Sequence, residues 1–570
     1  MMPEQTSNTP LLAADGTPLR QSLSRSLRRQ KLRALFLIAP LLVFVMLTFV
    51  VPIGNMLFRS VQNDIVSNIM PHTVAALENW QAETEPLPDE TAYKAAFFDL
   101  FAAAKAKEHT KLGARLNYEQ TGISSAFRKS GRAIMKPGKE LAKTFQKIDP
   151  AWGKTETFIA LFDASFDASF DANFDASGKK TNTSLNQSQL ARLNQLKGEQ
   201  YIVPETKGIA ADAARALPMT AREFSYWTLF TELEKNKSIT ESKVWEALYV
   251  ALADDLQNPQ NTAAIASLSG PIASLVKTSA REISQQPRID YTKIMGGVNK
   301  GWSERIIWET IKLHSSVYTG GYFLNAVDMR KTLDGPAIQP ESKQILLNLF
   351  QRTVKMSLII TISCILLGYP IAWLLANLPV RTSNILMILV LLPFWTSLLV
   401  RTSAWKVMLQ QQGVINEVLV WLGIVATDNR LEIINNQIGT ITAMTHILLP
   451  FMILPMYSVM QTIPPSYVRA AKSLGATNWT AFWRVYFPQS IPGIGAGSIL
   501  VFILAIGYYI TPEIVGGTDG VFISNRIAYH ISRSLNWGLA AALGAILLAV
   551  VLVLYWAYDK IVGIDNVKLG

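Results

Sequence analysis

The chain has 570 residues, of which 49% are hydrophobic and only 17% charged, and its mean hydropathy is +0.21. That balance excludes an ordinary soluble enzyme of this length and fits a membrane protein with a sizeable polar portion. The net charge of +11 would suit nucleic acid or anionic lipid, but the cations cluster beside apolar runs, where they set topology. The single cysteine, Cys364, lies inside an apolar run, so no intrachain disulfide can form and the thiol reads as a small packed side chain.

In chain order, residues 1–33 are a basic tail carrying Arg20, Arg25, Arg28, Arg29, Lys31 and Arg33. Ala34 to Phe58 follows as the first run able to cross about 30 Å of hydrocarbon, which takes about 20 apolar residues. It is longer than a signal-peptide core and lacks a small-x-small cleavage site, so it reads as a retained signal-anchor. Residues 59–352 then form a long polar insertion with little strand-like alternation, expected to be mainly helical. Within it, Ser238 to Gln257 places Trp245, Leu248, Leu252 and Leu256 on one helical face behind a Ser238/Glu241 capping box. The repeat "FDASFDASFDANFDAS", Phe162 to Ser177, would drift about 40° per four-residue unit on a helix. It lacks the alternating oxygens and central glycine of a calcium loop, reads as a spacer, and is followed by a linker-like polar stretch.

Five further spans are predicted at Met356 to Leu378, Asn384 to Leu409, Ile438 to Met460, Ile491 to Ile514 and Trp537 to Tyr558, with residues 561–570 as a short tail. Pro40, Pro370, Pro393, Pro450 and Pro455 inside them are tolerable where neighbours re-satisfy the backbone. The basic tail puts the N-terminus in the cytoplasm. Six crossings bring the C-terminus, with Lys560 and Lys568, to the same side, together with Arg381 and the loop between spans four and five.

That loop, "VRAAKSLGATNWTAFWRVYFP" from Val468 to Pro488, is no ordinary connector. Pro464-Pro465 ends span four, Ser466 can cap a helix over Tyr467 to Leu474, and Gly475 is placed to end it in a left-handed conformation. Asn478 can cap a second helix, Trp479 to Val485, before Pro488 and Pro492 lead into span five. A rigid basic hairpin joined to two spans suits mechanical coupling. No HExxH, CxxC or GxSxG element occurs, and Gly153-Lys154-Thr155 is not a phosphate loop because Ile148 stands where the first glycine is needed. No reaction is therefore expected on this chain.

The hairpin resembles the cytoplasmic signature of the permease subunits of binding-protein-dependent ABC importers. Their pattern is Glu-Ala-Ala, three residues, Gly, nine residues, then Ile-x-Leu-Pro. Arg469-Ala470-Ala471, Gly475, Val485 and Phe487-Pro488 fall at those spacings, with Arg469 where the family usually has Glu. "GYPIAWLLANLP", "LLPFWTSLLVRTSAWKVML", "GVINEVLVWLG" and "YYITPEIVGG" look like the spermidine/putrescine branch. The resemblance implies an all-α, polytopic, type I permease core over 353–560 in a bacterial inner membrane, with a coupling helix near 467–475. It also implies two ATPase subunits holding ATP and magnesium, a second and non-identical permease subunit, and a periplasmic solute-binding protein. No cofactor is expected on this chain. The long insertion lies outside the family's compact pattern.

For an amine substrate, Trp395, Trp405, Tyr508 and Tyr509 could line the path by cation–π contact and Glu513 could neutralise charge. Packing or interfacial anchoring is the more ordinary reading of each. His446 reads as an interhelical hydrogen-bonding residue, and Arg401 as a structural or gating cation. Two further readings stay open: a membrane-anchored sensor or scaffold working through its insertion, and an importer for an opine or amino-acid-like solute. A proton-coupled carrier would need mid-membrane carboxylates, which the spans lack.

Overall fold

The structure, a computed structural model, describes residues 19–162, 211–235, 239–270 and 272–562. The repeat beyond Phe162, the polar stretch after it, Ser238 and Lys568 lie outside the described residues. Two compact units result, Met1–Val61 with Gln344–Gly570, and Gln62–Lys343. By length and composition, five helices can cross a membrane, or six if one bent pair is a single span.

The first span joins α1 (Leu19–Val45) to α2 (Val51–Arg59) through a π turn, Met46–Val50. Pro52 explains the turn. Its ring would strike the carbonyl of Thr48 in a regular helix, and widening the coil relieves the clash. The N–H of Val51 accordingly reaches back five residues to the Met46 carbonyl.

The Gln62–Lys343 unit is built on helices that include α3 (Glu90–Lys105), α4 (His109–Glu119), α5 (Pro218–Lys235), α6 (Glu246–Gln257) and α7 (Arg305–Leu313). A two-stranded antiparallel hairpin, β1 (Met329–Thr332) with β2 (Gly335–Ile338), closes it. With no disulfide available, aromatic packing holds the unit. Trp152, Trp227, Trp302 and Trp308 are all fully buried. Three of their indoles still find acceptors, at Ser279 Oγ (2.8 Å), Ser130 Oγ (2.9 Å) and the Trp302 carbonyl (2.9 Å). The Ser238/Glu241 capping box lies outside the described residues. A 3₁₀ turn spans Ile239–Glu241, and α6 starts only at Glu246 with Trp245 as its N-cap. The Trp245 ring packs among Phe101, Tyr226 and Phe230. Leu248, Leu252 and Leu256 are buried, but so are most of their neighbours, so α6 is a core helix rather than a one-faced one.

The two ends of this unit are tied together. The Asn63 amide donates to the carbonyls of His314 (2.8 Å) and Ser316 (3.0 Å), and its backbone N–H to Val317 (2.7 Å). Arg115 donates to Asn63 Oδ1 (3.2 Å), Tyr322 Oη (2.9 Å) and Glu119 (2.7 Å). Asn325 donates to Glu119 (2.9 Å) and accepts from Gln339 (3.2 Å). His314 sits in this dry cluster, and burial pushes its pKa down to about 4 against the opposing pull of Glu119.

The remaining spans begin with α8 (Leu346–Asn377), which starts ten residues before the predicted boundary. The predicted third span is not straight. Helix α9 (Val380–Leu391), a 3₁₀ turn over Leu392–Trp395 and α10 (Leu398–Met408) are bent by 94°. Pro393 stops the first half and the Ser397 hydroxyl, accepting from the Val400 N–H at 3.2 Å, starts the second. Short helix α11 (Val414–Trp421) precedes α12 (Gln437–Gln461). Next come α13 (Pro465–Ser473), α14 (Asn478–Ala481) and α15 (Phe487–Gly507). The last elements are α16 (Ile510–Val515), α17 (Ile523–Ser532) and α18 (Trp537–Val562). The fifth span thus ends at Gly507, not Ile514, and its helical path starts at Asn478. Helices α8 and α15 both pack along α12, and α2 packs on α18. A Cβ on Gly497 would lie 2.7 Å from Met452 Sδ and 3.1 Å from its carbonyl, so α15 needs glycine to approach α12 this closely.

A stability prediction follows from His314. A histidine held neutral by the fold is protonated more readily in the unfolded chain, so its contribution is complete above pH 6.5 and drains away as pH falls towards 4. That difference between folded and unfolded chain corresponds to about 3 kcal/mol. Asp255, which burial raises to about 6, contributes with the opposite sign, so a difference measurement isolates His314. Chemical unfolding of the wild type and His314→Gln, followed by tryptophan fluorescence, should show the wild type losing about 3 kcal/mol relative to the variant between pH 7 and pH 4. A constant gap would show that His314 does not govern the acid limb.

Candidate functional site

The charged hairpin is the most solvent-exposed structured feature between two spans. No residue of α13 is buried, and only Val468 and Ala471 are half-buried. Pro465 takes the first helical position, so Pro464 is the cap and Ser466 lies inside the helix, contrary to expectation. Gly475 has φ +90°, its N–H bonds the Lys472 carbonyl (3.0 Å), and the Ala476 N–H bonds that of Ala471 (3.1 Å), a left-handed stop. Leu474 is 90% exposed. Thr477, not Asn478, caps the next helix, its hydroxyl accepting from the Thr480 N–H at 3.2 Å. The expected separate helix from Trp479 to Val485 is instead the start of a continuous path into α15 through a π turn, Phe482–Tyr486. Pro488 imposes it as Pro52 does in the first span, and the Phe487 N–H reaches back to the Phe482 carbonyl.

Aromatic rings fasten the hairpin to the spans. Tyr369 on α8 lies 6.1 Å from Phe482 and 5.8 Å from Phe487, and its hydroxyl is 3.0 Å from Ser490 Oγ on α15. Trp483 packs on Phe487 at 4.8 Å and on Trp479 at 5.6 Å. Arg469 and Ala470 are exposed on α13, Val485 is half-buried in the π turn, and Phe487 with Pro488 opens α15. The hairpin is thus joined to α12 at one end and fastened to α8 and α15 at the other.

The second group of residues gathers around the breaks in the spans. At the 94° bend, Arg401 donates through Nη2 to the carbonyls of Pro393 and Thr396, the latter at 3.1 Å, and its guanidinium lies 6.0 Å from the Phe394 ring centroid. Below Gly507 the carbonyls freed by the break are taken from α17. Ser524 donates to those of Ile506 (3.1 Å) and Tyr508 (3.0 Å), and Asn525 to that of Tyr509 (2.8 Å). Asn525 also donates to Glu513 Oε2 at 2.7 Å. Trp405 on α10 donates to His446 Nδ1 on α12 at 3.1 Å, and the hydroxyls of Thr402 and Thr511 are 3.1 Å apart, joining α10 to α16. Trp405, His446, Tyr509 and Glu513 thus stand on elements that touch one another, with Tyr508 packed in the span core. Trp395 is 73% exposed, and among the described residues no hydrogen bond or ring contact joins it to the other four candidates.

Sequence reasoning missed Ser524, Asn525 and Asn416. Asn416 is completely buried, donates to the carbonyls of Gln410 (3.2 Å) and Leu431 (3.0 Å), and accepts from the Leu431 N–H (3.0 Å), pinning the loop after α10. Asn416 stands beside Glu417 and Asn525 between Ser524 and Arg526, so neither is marked out in the sequence as an isolated polar group.

Spans broken about side-chain-satisfied gaps, joined by an exposed helical hairpin, define a polytopic helical permease. The chain belongs to the binding-protein-dependent transport system inner membrane component family, whose pattern it matches over residues 368–562. The spermidine/putrescine transport system permease protein PotB of Salmonella typhimurium (strain SL1344) is 35% identical over 240 residues, 41% of this chain and 82% of that protein. PotB of Escherichia coli (strain K12) is 34% identical over 212 residues, 37% of this chain and 76% of that protein. Among solved structures, a bacterial ABC transporter that imports the acidic polysaccharide alginate matches at 19% identity and TM-score 0.31, over 38% of this chain and 79% of that one.

The bend supplies a direct test. Arg401→Leu leaves two carbonyls without their donor at membrane depth, worth about 1–3 kcal/mol. The solubilised protein should melt at lower temperature, and Arg401→Lys, which keeps a donor, should lose less. An unchanged melting temperature in Arg401→Leu would rule out a bracing role.

Proposed function

We propose that this chain is the membrane-spanning subunit of an ATP-driven importer that carries a small amine of the polyamine class into the cytoplasm by alternating access. ATP and magnesium belong to a pair of separate ATPase subunits. A solute-binding protein delivers the amine outside, a second and non-identical permease subunit completes the pathway, and this chain needs no cofactor of its own. The basic flanks of the first span and of the hairpin support a cytoplasmic N-terminus, C-terminus and hairpin, with the Gln62–Lys343 unit outside.

One observation carries the coupling assignment. Helix α13 spans nine residues without a buried side chain, yet both ends are locked to long spans. Only a partner that fills its exposed face gives that arrangement a use, and closing of an ATPase pair would move both attached spans together. For the solute, two PotB relatives over the C-terminal part support a polyamine. So does the conjunction of Trp405, Tyr508, Tyr509 and Glu513, since an ammonium group is attracted to aromatic faces and to a carboxylate. The Arg401 guanidinium is held at the bend by backbone carbonyls, which fixes where its charge stands. A scaffold working through its external unit would leave the hairpin without a role.

Two outcomes are expected in cells depleted of other polyamine carriers. Gly475→Asp abolishes uptake of labelled putrescine and spermidine while the chain still accumulates in the membrane. The site has no atom within 4 Å of a new Cβ, so only left-handed strain of about 1–2 kcal/mol and the new charge are added. Gly475→Asn, which tolerates that conformation, retains most uptake, and wild-type uptake in Gly475→Asp would remove the coupling assignment. Glu513→Gln raises the apparent KM for putrescine about tenfold, about 1.4 kcal/mol. An unchanged KM would take Glu513 off the path.

A further inference from the structure

The docking surface itself carries an unusual charge. Between Glu432 and Glu513 the sequence has no Asp or Glu, while the hairpin holds Arg469, Lys472 and Arg484. All three are exposed, and none forms an ion pair among the described residues. With Val468 and Ala471 as the inward stripe, a step of about 100° per residue puts Arg469, Ala470 and Ser473 on the outward face of α13. Lys472 stands at its flank. The Ser473 hydroxyl is turned back onto the Arg469 carbonyl at 3.0 Å, so it does not engage the guanidinium.

Ala470 and Ser473 are small, which allows a docked surface to come close to the helix axis. Close approach strips water from Arg469, and a desolvated cation without a partner costs several kcal/mol. Among the described residues no carboxylate is paired with it. Leu474, 90% exposed one residue beyond the helix, adds an apolar contact that also has no cover among the described residues. We infer that the surface receiving α13 on the ATPase subunit is acidic, with at least one carboxylate opposite Arg469 around an apolar seat for Leu474. This deepens the proposed docking role and rests on it. The same complementarity gives selectivity, since a cleft lined by cations, suited to a hairpin with glutamate at this position, would be repelled here.

The test is the amount of ATPase recovered with the tagged full-length chain in neutral detergent, using the ATPase that co-purifies with the wild type. Arg469→Glu should lower recovery about tenfold or more, and Arg469→Lys should keep most of it. Raising salt from about 0.1 to about 1 M shortens the Debye length from about 10 to about 3 Å and should weaken the wild-type complex more than the Arg469→Gln complex. Normal recovery with Arg469→Glu, but loss with Gly475→Asp, would overturn the acidic cleft and leave docking standing. Normal recovery with both would overturn docking as well. Loss with Arg469→Glu only in anionic-lipid nanodiscs, and not in neutral detergent, would assign the counter-charge to lipid headgroups and also overturn the inference.

Discussion

The constraint on which the spanning unit depends is that hydrocarbon offers no hydrogen bonds, so every backbone group released by a helix break must find a partner inside the protein. Each interruption here comes with its own remedy. At the 94° bend the remedy is a guanidinium, from Arg401. Below Gly507 it is a serine and an asparagine reaching over from α17. Ahead of Pro52 and Pro488 it is a wider coil, which shifts the hydrogen bonds by one residue rather than abandoning them. A gap satisfied in this way can expose side chains towards the pathway without a regular helix beneath them. Glu513 accordingly stands on a short helix that Tyr509 caps, and not on a long span.

The same requirement shapes the hairpin at the membrane surface. Its helix could have been held by burial, but no side chain of α13 is buried, and stiffness comes from the rings beside it. Tyr369, Phe482, Trp483 and Phe487 form a small aromatic joint between two spans, and the π turn sets the angle at which the chain leaves it. Separating the contact surface from the joint leaves the outer face of α13 free to vary in charge while the mechanical connection is unchanged. Arg469 is an instance of that freedom.

Much of this architecture was legible in the sequence, because span length and hydropathy report directly on the bilayer. The hairpin was legible because Pro464, Pro465, Gly475 and Pro488 each restrict backbone geometry locally. Bends and boundaries were less so. A hydropathy window cannot separate a straight span from two apolar halves at 94°, and the residues closing the break at Gly507 lie beyond the short helix that follows it. Caps failed for a related reason. Ser466 was displaced by Pro465 at the first helical position. Of the candidate path residues, all chosen for aromatic or acidic type, Trp395 is highly exposed; residue type does not report which side of a bend a ring occupies.

The tied ends of the Gln62–Lys343 unit bear on how such a large piece can sit between two adjacent spans. Asn63 is bonded to Val317, and Gln339 is linked back to Asn63 through Asn325, Glu119 and Arg115. To the membrane bundle the unit is therefore a short closed loop and not a tether of about 280 residues. Since closure entropy grows by about 0.6 kcal/mol per doubling of length, the knot of polar contacts spares the bundle about 3 kcal/mol relative to an open chain. A domain knotted off at its neck in this way can enlarge, shrink or be exchanged while the chain length that links the spans on either side stays short.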